Sequence, residues 1–407
     1  MEVTIQQSTG KGTVKAQPSK SIVHRLLILA MLSPDKSVIG NVAFSEDILA
    51  TMDCMKALGA SVSVDQIRGE ITVEGTGGAV PDETVDLFCR ESGSTMRFFM
   101  GIAMTLGIHA RFFGSTRLLE RPFSVYEEIC SKQKITFVKQ ADHIEVCGKL
   151  KPGTYRIPGN ISSQFVTGLL FGLPLREKDS EIDLIPPVES LSYIELTLQA
   201  LSAFSANVSR TGNMIVIPGS QSYCGNTITA EGDYSNAAFP DALNLLGGSV
   251  KITGLDENSR QGDRVYRESF EKLKSGYAKL DISDCPDLGP VLFALAACLN
   301  GAEFTGTARL KMKESDRGLV MCEELKKCGI SSVMEENRIC IDPGLQKPQE
   351  PLCGHNDHRI VMALAVLLTK TGGTISGAEA VRKSYPSFFE DLKSLGIVLD
   401  INQSCEV

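Results

Sequence analysis

Lys311-Met312-Lys313-Glu314-Ser315-Asp316-Arg317 packs three cations and two carboxylates into seven residues. A strand-like run, Ala302-Glu303-Phe304-Thr305-Gly306, precedes it. An amphipathic run from Leu319 to Lys327 comes after it. The stretch reads as a turn that hands a strand over to a helix, with Ser315 or Asp316 as the N-cap. Two interpretations fit it. One is a solvated, capped turn. The other is an anion site with a carboxylate set among cations, which suits a phosphorylated ligand and proton transfer. The choice turns on whether the arrangement recurs.

It recurs about six times. Each unit has a polar Ser/Gly/Asp-rich entry, an apolar helix, a short strand, a polar loop and an amphipathic helix, and often a closing hairpin. The entries are Pro18-Ser19-Lys20-Ser21, Glu91-Ser92-Gly93-Ser94, Asn160-Ile161-Ser162-Ser163-Gln164, Gly232-Asp233-Tyr234-Ser235, Cys285-Pro286-Asp287-Leu288 and Asn356-Asp357-His358-Arg359. Their helices run to Ser33, Gly107, Leu175, Gly247, Asn300 and Thr369. Entries recur at about 50 to 75 residues, too long for a solenoid turn, so each unit should be a subdomain. Runs such as Leu26 to Leu32, Val291 to Leu299 and Ile360 to Leu368 are apolar nearly all round and should be buried.

The second helices read as 47–58, 122–133, 193–204, 263–274, 316–327 and 386–395, each with apolar residues three and four apart. Hairpins are expected at 61–64 with 71–73, at 207–210 with 214–217 around Thr211-Gly212-Asn213, and within 331–341. Three units per lobe is the economical grouping. It gives an α/β (α+β) chain with residues 15–228 as an N-terminal lobe. Residues 1–14 plus 229–407 form a C-terminal lobe, and the chain crosses twice. The strand at 2–7 is expected to join the C-terminal lobe.

Composition narrows the partners. A net charge of −8 and a pI near 5.4 disfavour nucleic acid. No apolar run approaches the roughly 18 residues of a membrane span. The twelve cysteines include no Cys-x-x-Cys and no zinc-ligand spacing, and no signal peptide is read at the start. A reduced cytoplasm with free thiols is the expectation, as is a monomer without metal or organic cofactor. Lys20-Ser21 lacks the glycines of a P-loop, no G-x-G-x-x-G is present, and His355-x-x-His358 alone does not make a metal site. Helix N-termini with small polar residues do favour anions. Lys20, Arg25, Arg97 and Arg359 stand near them, and Arg117, Arg121, Lys313, Arg317 and Lys383 on loops after strands. Cations repeated at equivalent points of an acidic chain predict a small, multiply anionic ligand bound by lobe closure.

Nine motifs, in order, resemble those of the 5-enolpyruvylshikimate-3-phosphate synthase family. They are Pro18-Ser19-Lys20-Ser21 with Arg25, Gly93-Ser94-Thr95-Met96-Arg97, Glu120-Arg121-Pro122, Ser162-Ser163-Gln164 and Glu231-Gly232-Asp233, then Pro286-Asp287, Lys313-Glu314-Ser315-Asp316-Arg317, Asn356-Asp357-His358-Arg359 and Lys383-Ser384-Tyr385-Pro386. The resemblance spans nearly the whole chain. It implies a two-lobed inside-out barrel, each lobe three βαβαββ-type subdomains with buried helices and outer sheets, around a cleft. It implies enolpyruvyl transfer from phosphoenolpyruvate to shikimate 3-phosphate without a cofactor. It assigns shikimate 3-phosphate to Lys20, Ser21, Arg25, Ser162, Ser163, Gln164, Ser190, Tyr193, Asp287 and Lys313. It assigns phosphoenolpyruvate to Lys20, Gly93, Arg97, Arg121, Gln164, Arg317, Arg359 and Lys383. Asp287, Glu314 and Lys20 would be catalytic: Asp287 and Glu314 in proton transfer, Lys20 on the leaving phosphate.

Some positions depart from the family pattern. Glu91-Ser92 replaces a common Asn-Ala or Asn-Ser, Ser94 a Thr, and Phe98 a Pro. These are expected to flank the phosphoenolpyruvate pocket and bear on inhibition by glyphosate. Gly93 keeps room for that inhibitor, so sensitivity is the expectation. Arg309 stands where some members have an Asn on the shikimate phosphate. The related UDP-N-acetylglucosamine enolpyruvyl transferases carry an Asn-Lys pair and a loop cysteine. Here Ser19-Lys20 and the cysteine-free Gly114-Ser115-Thr116-Arg117 stand instead. A non-catalytic phosphate-binding scaffold would be expected to lose Asp287 or Glu314.

Overall fold

Among the described residues six largely buried helices organise the chain. They span Lys20–Leu32, Gly93–Leu106, Ser163–Gly172, Tyr234–Leu245, Gly289–Cys298 and His358–Thr371 in the computed structural model, which describes residues 1–79 and 81–402. Residues 26–32, 289–297 and 358–369 are buried without a break. A helix enclosed on every side must satisfy its free N-terminal amides inside the protein. Ser92, Ser162, Asp233 and Asp357 do so, accepting from the amides of Thr95, Gln164, Asn236 and Arg359. The fifth helix is entered instead through a 3-10 turn at Pro286–Leu288.

Among the described residues the strands form six small sheets. The second, third and fifth units share one pattern: a parallel pair of strands followed by an antiparallel hairpin. In the second unit Val85–Phe88 runs parallel to Ala110–Phe113, which pairs with His143–Cys147 and then Thr136–Lys139. The other three sheets are completed by strands from far along the chain. Thr227–Thr229 lies parallel to Lys36–Gly40 in the first. Lys11–Lys15 lies parallel to Ser249–Thr253 in the fourth. Glu2–Ile5 inserts between Gly373–Ser376 and Leu399–Asn402 in the sixth.

These pairings divide the chain into two compact units. Pro18–Glu231 is one; Met1–Gln17 with Gly232 onward is the other. Each has its own apolar core. The divisions fall a few residues beyond 14/15 and 228/229. Ala16 donates to Thr253, and the strand Thr227–Thr229 stays with Lys36–Gly40. Among the described residues no helix is long and apolar enough to cross a membrane.

Local differences from the sequence reading have local causes. The first strand ends at Ile5, and the Gly212-Asn213 turn is two residues, because Thr211 pairs with Met214. Residues 262–265 are a 3-10 turn ahead of the helix Tyr266–Ser275. Pro122 and Pro386 lie outside their helices, which start at Ser124 and Phe388. The helix Thr116–Glu120 is too short to show a period, and the fourth and sixth units close without a hairpin of their own.

Two glycines set a close helix approach in the N-terminal unit. A Cβ on Gly101 would lie 2.7 Å from Gly168 Cα, so the helices Gly93–Leu106 and Ser163–Gly172 touch backbone to backbone. Overpacking a filled contact costs about 1–3 kcal/mol. Gly101→Ala should therefore lower the unfolding free energy by about that amount, read from a urea melt.

Candidate functional site

In the unit Pro18–Glu231, polar side chains gather where buried helices begin. Lys20 opens its helix and places Nζ 2.7 Å from Asp47 Oδ2, in the first turn of Glu46–Ala57. One turn after Ser21, Arg25 is buried. Its guanidinium donates to the Ser21 and Tyr193 carbonyls at 2.6 and 2.9 Å and to Thr197 Oγ1 at 2.9 Å. Among the described residues no carboxylate pairs with it. Burial therefore lowers its pKa to about 10, still cationic at neutral pH. Ser190, at φ +55°, heads the helix that carries Tyr193.

The Gly93 helix supplies the second group. Arg97 donates to Gln164 Oε1 at 2.6 Å and to the Pro122 carbonyl at 3.2 Å, and its guanidinium lies over the Phe123 and Phe165 rings. Gln164 Nε2 in turn donates to Ser94 Oγ at 2.9 Å. Arg121 lies against the α-carbon of Gly93, where a Cβ would stand 2.9 Å from its Cζ. Ser162 caps the helix of Gln164, and Ser163 is buried beside it.

Beneath these residues runs a chain of buried hydroxyls. His24 Nδ1 is 2.8 Å from Thr51 Oγ1, which is 2.8 Å from Thr95 Oγ1, which donates to Ser92 Oγ at 2.7 Å. Burial, then Lys20 and Arg25, hold His24 well below its usual pKa, so its ring is neutral. Phe98, next to Arg97, faces inward. It is 1% exposed, with its ring against His24 and Phe171 and under Arg25, because its helix turns that position into the core.

In the other unit Arg317 is the centre. It is 1% exposed and bonds three carboxylates. Nε reaches Asp357 Oδ2 at 2.8 Å, Nη1 reaches Asp287 Oδ1 at 2.8 Å, and Nη2 reaches Glu314 Oε2 at 2.7 Å. Burial opposes its charge, but Asp357, Glu314 and Asp287 raise its pKa above the usual value. Asp287 also meets Lys313 Nζ at 3.0 Å and Arg359 Nη2 at 3.0 Å. Burial by itself would raise the Asp287 pKa. Arg359, Lys313 and Arg317 outweigh it and hold the carboxyl well below the usual range. Lys313 is lowered, chiefly by burial. Arg359 donates to Ser235 Oγ at 2.7 Å, and Lys383 Nζ to the Asn356 carbonyl at 2.6 Å.

The charged turn is thus not a solvated one. Asp316 is the N-cap, accepting from Leu319 N, while Ser315 donates to Asp357 Oδ2. Asp287, Lys313, Glu314, Arg317 and Arg359 form one cluster, and Lys383 joins it through the loop of Asn356 and Asp357. Lys20, Ser21, Arg25, Ser190 and Tyr193 group around one helix start. Gly93, Arg97, Arg121, Ser162, Ser163 and Gln164 group around two others. Arg309 is buried, with Nη1 3.5 Å from the Ser283 carbonyl.

Sequence reasoning missed Asp47, Ser235 and the His24 chain, and left Asp357 without a role. Asp47 and Asp357 had a signal, an acid at the first turn or cap of a helix near a cationic entry. Among the described residues no group of three side chains is arranged to hold a metal ion.

Comparison with known proteins places nearly the whole chain in one family. The EPSP synthase (3-phosphoshikimate 1-carboxyvinyltransferase) family profile matches residues 5–392. The 3-phosphoshikimate 1-carboxyvinyltransferase of Clostridium kluyveri is 38% identical, across 98% of both chains. That of Clostridium perfringens is 37% identical over 98% of this chain and 99% of its own. In fold, an EPSP synthase from Acinetobacter baumannii superposes with a TM-score of 0.77 at 23% identity, over 99% of this chain and 100% of that one. The enolpyruvyl transferase NikO of Streptomyces tendae gives 0.77 at 15% identity, over 98% of each. With nearly its whole length aligned, the chain belongs to the EPSP synthase (3-phosphoshikimate 1-carboxyvinyltransferase) family.

Proposed function

We propose that the protein transfers the enolpyruvyl group of phosphoenolpyruvate to the 5-hydroxyl of shikimate 3-phosphate. The observation that carries this reading, beside family membership, is Asp287, an ionised carboxylate held by Lys313, Arg317 and Arg359. In the first step the 5-oxygen bonds to C2 of phosphoenolpyruvate while C3 gains a proton. In the second the C2–O bond to phosphate breaks, C3 loses a proton, and inorganic phosphate leaves. Asp287 accepts the hydroxyl proton and Glu314 serves C3. Arg317, bonded to both, couples their charges. A carboxylate so strongly held is a weak base, so it acts as the 5-oxygen bonds to C2, when the hydroxyl becomes acidic.

Lys20, Ser21, Arg25, Ser162, Ser163, Gln164, Ser190, Tyr193, Asp287 and Lys313 bind shikimate 3-phosphate. Lys20, Gly93, Arg97, Arg121, Gln164, Arg317, Arg359 and Lys383 bind phosphoenolpyruvate. Guanidinium groups suit its phosphate and carboxylate because a planar fork meets two oxygens at once. Asp47 holds the Lys20 ammonium in place, 2.7 Å away. The protein works as a monomer in the cytoplasm, on small-molecule substrates alone.

The deciding assay is phosphate release with both substrates, beside a reaction in which UDP-N-acetylglucosamine replaces shikimate 3-phosphate. Release only in the first is expected. Release only in the second would transfer the protein to the sibling reaction. No release in either, with shikimate 3-phosphate bound, would favour a non-catalytic scaffold.

Asp287→Asn should fold and lose about 10²–10⁴-fold in kcat, since it removes the proton acceptor. Its stability gives a second check. The native Asp287 pKa is depressed, so the carboxylate contributes stability above its unfolded value and loses it as the pH falls. Wild type should lose stability relative to the variant below about pH 4, read from denaturant melts across pH. Gly93→Ala should push Arg121 aside and cut kcat/KM for phosphoenolpyruvate by about 10- to 100-fold, with an unchanged melting temperature.

A further inference from the structure

We infer that Glu324 is a positioning residue for the loop 353–357, and through it for Lys383 and Arg359. The inference rests on the proposed reading that these two cations bind phosphoenolpyruvate.

Glu324 lies two turns after Arg317 on the same buried face of the helix Arg317–Lys327. Its side chain is 1% exposed. A carboxylate that deep needs partners, and it finds them on the loop. Oε2 accepts the Cys353 amide at 2.9 Å, and Oε1 is 2.8 Å from His355 Nε2. A carboxylate only accepts, so His355 Nε2 carries the proton. Lys327 Nζ, at 3.1 Å, balances the charge from the helix's own last turn.

The loop needs such a hold. His355 and Asn356 are both left-handed, at φ +48° and +51°; each type enters that region more readily than most side chains, but usually as a single residue and not as a consecutive pair. Two contacts of the neighbouring site depend on that shape. The Asn356 carbonyl takes the Lys383 ammonium. Asp357 caps the helix of Arg359 and bonds Arg317. One helix face therefore grips the loop twice, with a cation on Asp357 and an anion on Cys353 and His355. His355 thereby has a structural role that needs no metal.

The test compares Glu324→Ala, Glu324→Gln and wild type. With the clamp released, Glu324→Ala should raise the phosphoenolpyruvate KM about tenfold or more, with a smaller effect on kcat. Its Kd for shikimate 3-phosphate alone should stay within about threefold. In Glu324→Gln the amide oxygen still accepts from Cys353, and His355 can change tautomer to accept from the amide. That variant should stay within about threefold of the wild-type KM. A folded Glu324→Ala with an unchanged phosphoenolpyruvate KM overturns the inference. So does an equal loss for both substrates, which marks a general structural effect. If Glu324→Ala does not fold, His355→Ala decides. A KM raised more than about threefold supports the clamp, and one within about threefold of wild type overturns it. Wild type that releases no phosphate ends the proposed reaction instead. The clamp is then read from calorimetric binding of phosphoenolpyruvate, where an equal Kd in wild type and Glu324→Ala overturns it.

Discussion

The C-terminal unit depends on the Arg317 guanidinium. A buried cation is unfavourable unless its charge and its donors are met. Here Asp287, Glu314 and Asp357 meet them from three directions. Each acid belongs to a different segment: the fifth helix entry, the charged turn and the sixth helix cap. One side chain thus ties three pieces of chain together and sets their charges relative to one another. Removing the guanidinium would leave Asp357, fully buried, without its arginine partner. Such a cluster fixes its charges relative to one another, as the proposed proton transfer requires.

The same constraint acts at lower charge in the N-terminal unit. Helices buried on all sides must end inside the protein, and their free amides demand small polar caps. Those caps leave N-termini able to attract anions. The glycines at 101 and 168 bring two of these helices together, so that Arg97 on one reaches Gln164 on the other. The chain from His24 through Thr51 and Thr95 to Ser92 links three helices through neutral hydroxyls, adding no charge beside Lys20 and Arg25. Packing and chemistry meet at the same positions for one physical reason: a buried helix start is both a structural problem and an anion site.

The repeat was legible because it is written in local chemistry. Apolar runs such as 26–32 and 360–368 are too hydrophobic to be surface helices, and the polar entries before them stop short of being core. The strands that complete the first, fourth and sixth sheets were harder to read. Thr227–Thr229 is three residues long, and its partner is Lys36–Gly40. No local pattern carries a pairing across so much chain. The surroundings of Phe98 were hard to read for a similar reason. Adjacent to Arg97 in sequence, it points away from it, since neighbours on a helix face different directions.

By itself the sequence determined the repeated unit, the buried helices, the polar entries and the nine motifs that mark the family. These depend on residue type and spacing, which a linear chain carries in full. Only the tertiary structure decided which charges meet. Asp47 on Lys20, Asp357 on Arg317, Ser235 on Arg359 and Glu324 on the loop 353–357 are each pairings between separate segments. Their strength depends on distances of about 3 Å inside a low-dielectric interior. Such distances are set when the helices pack.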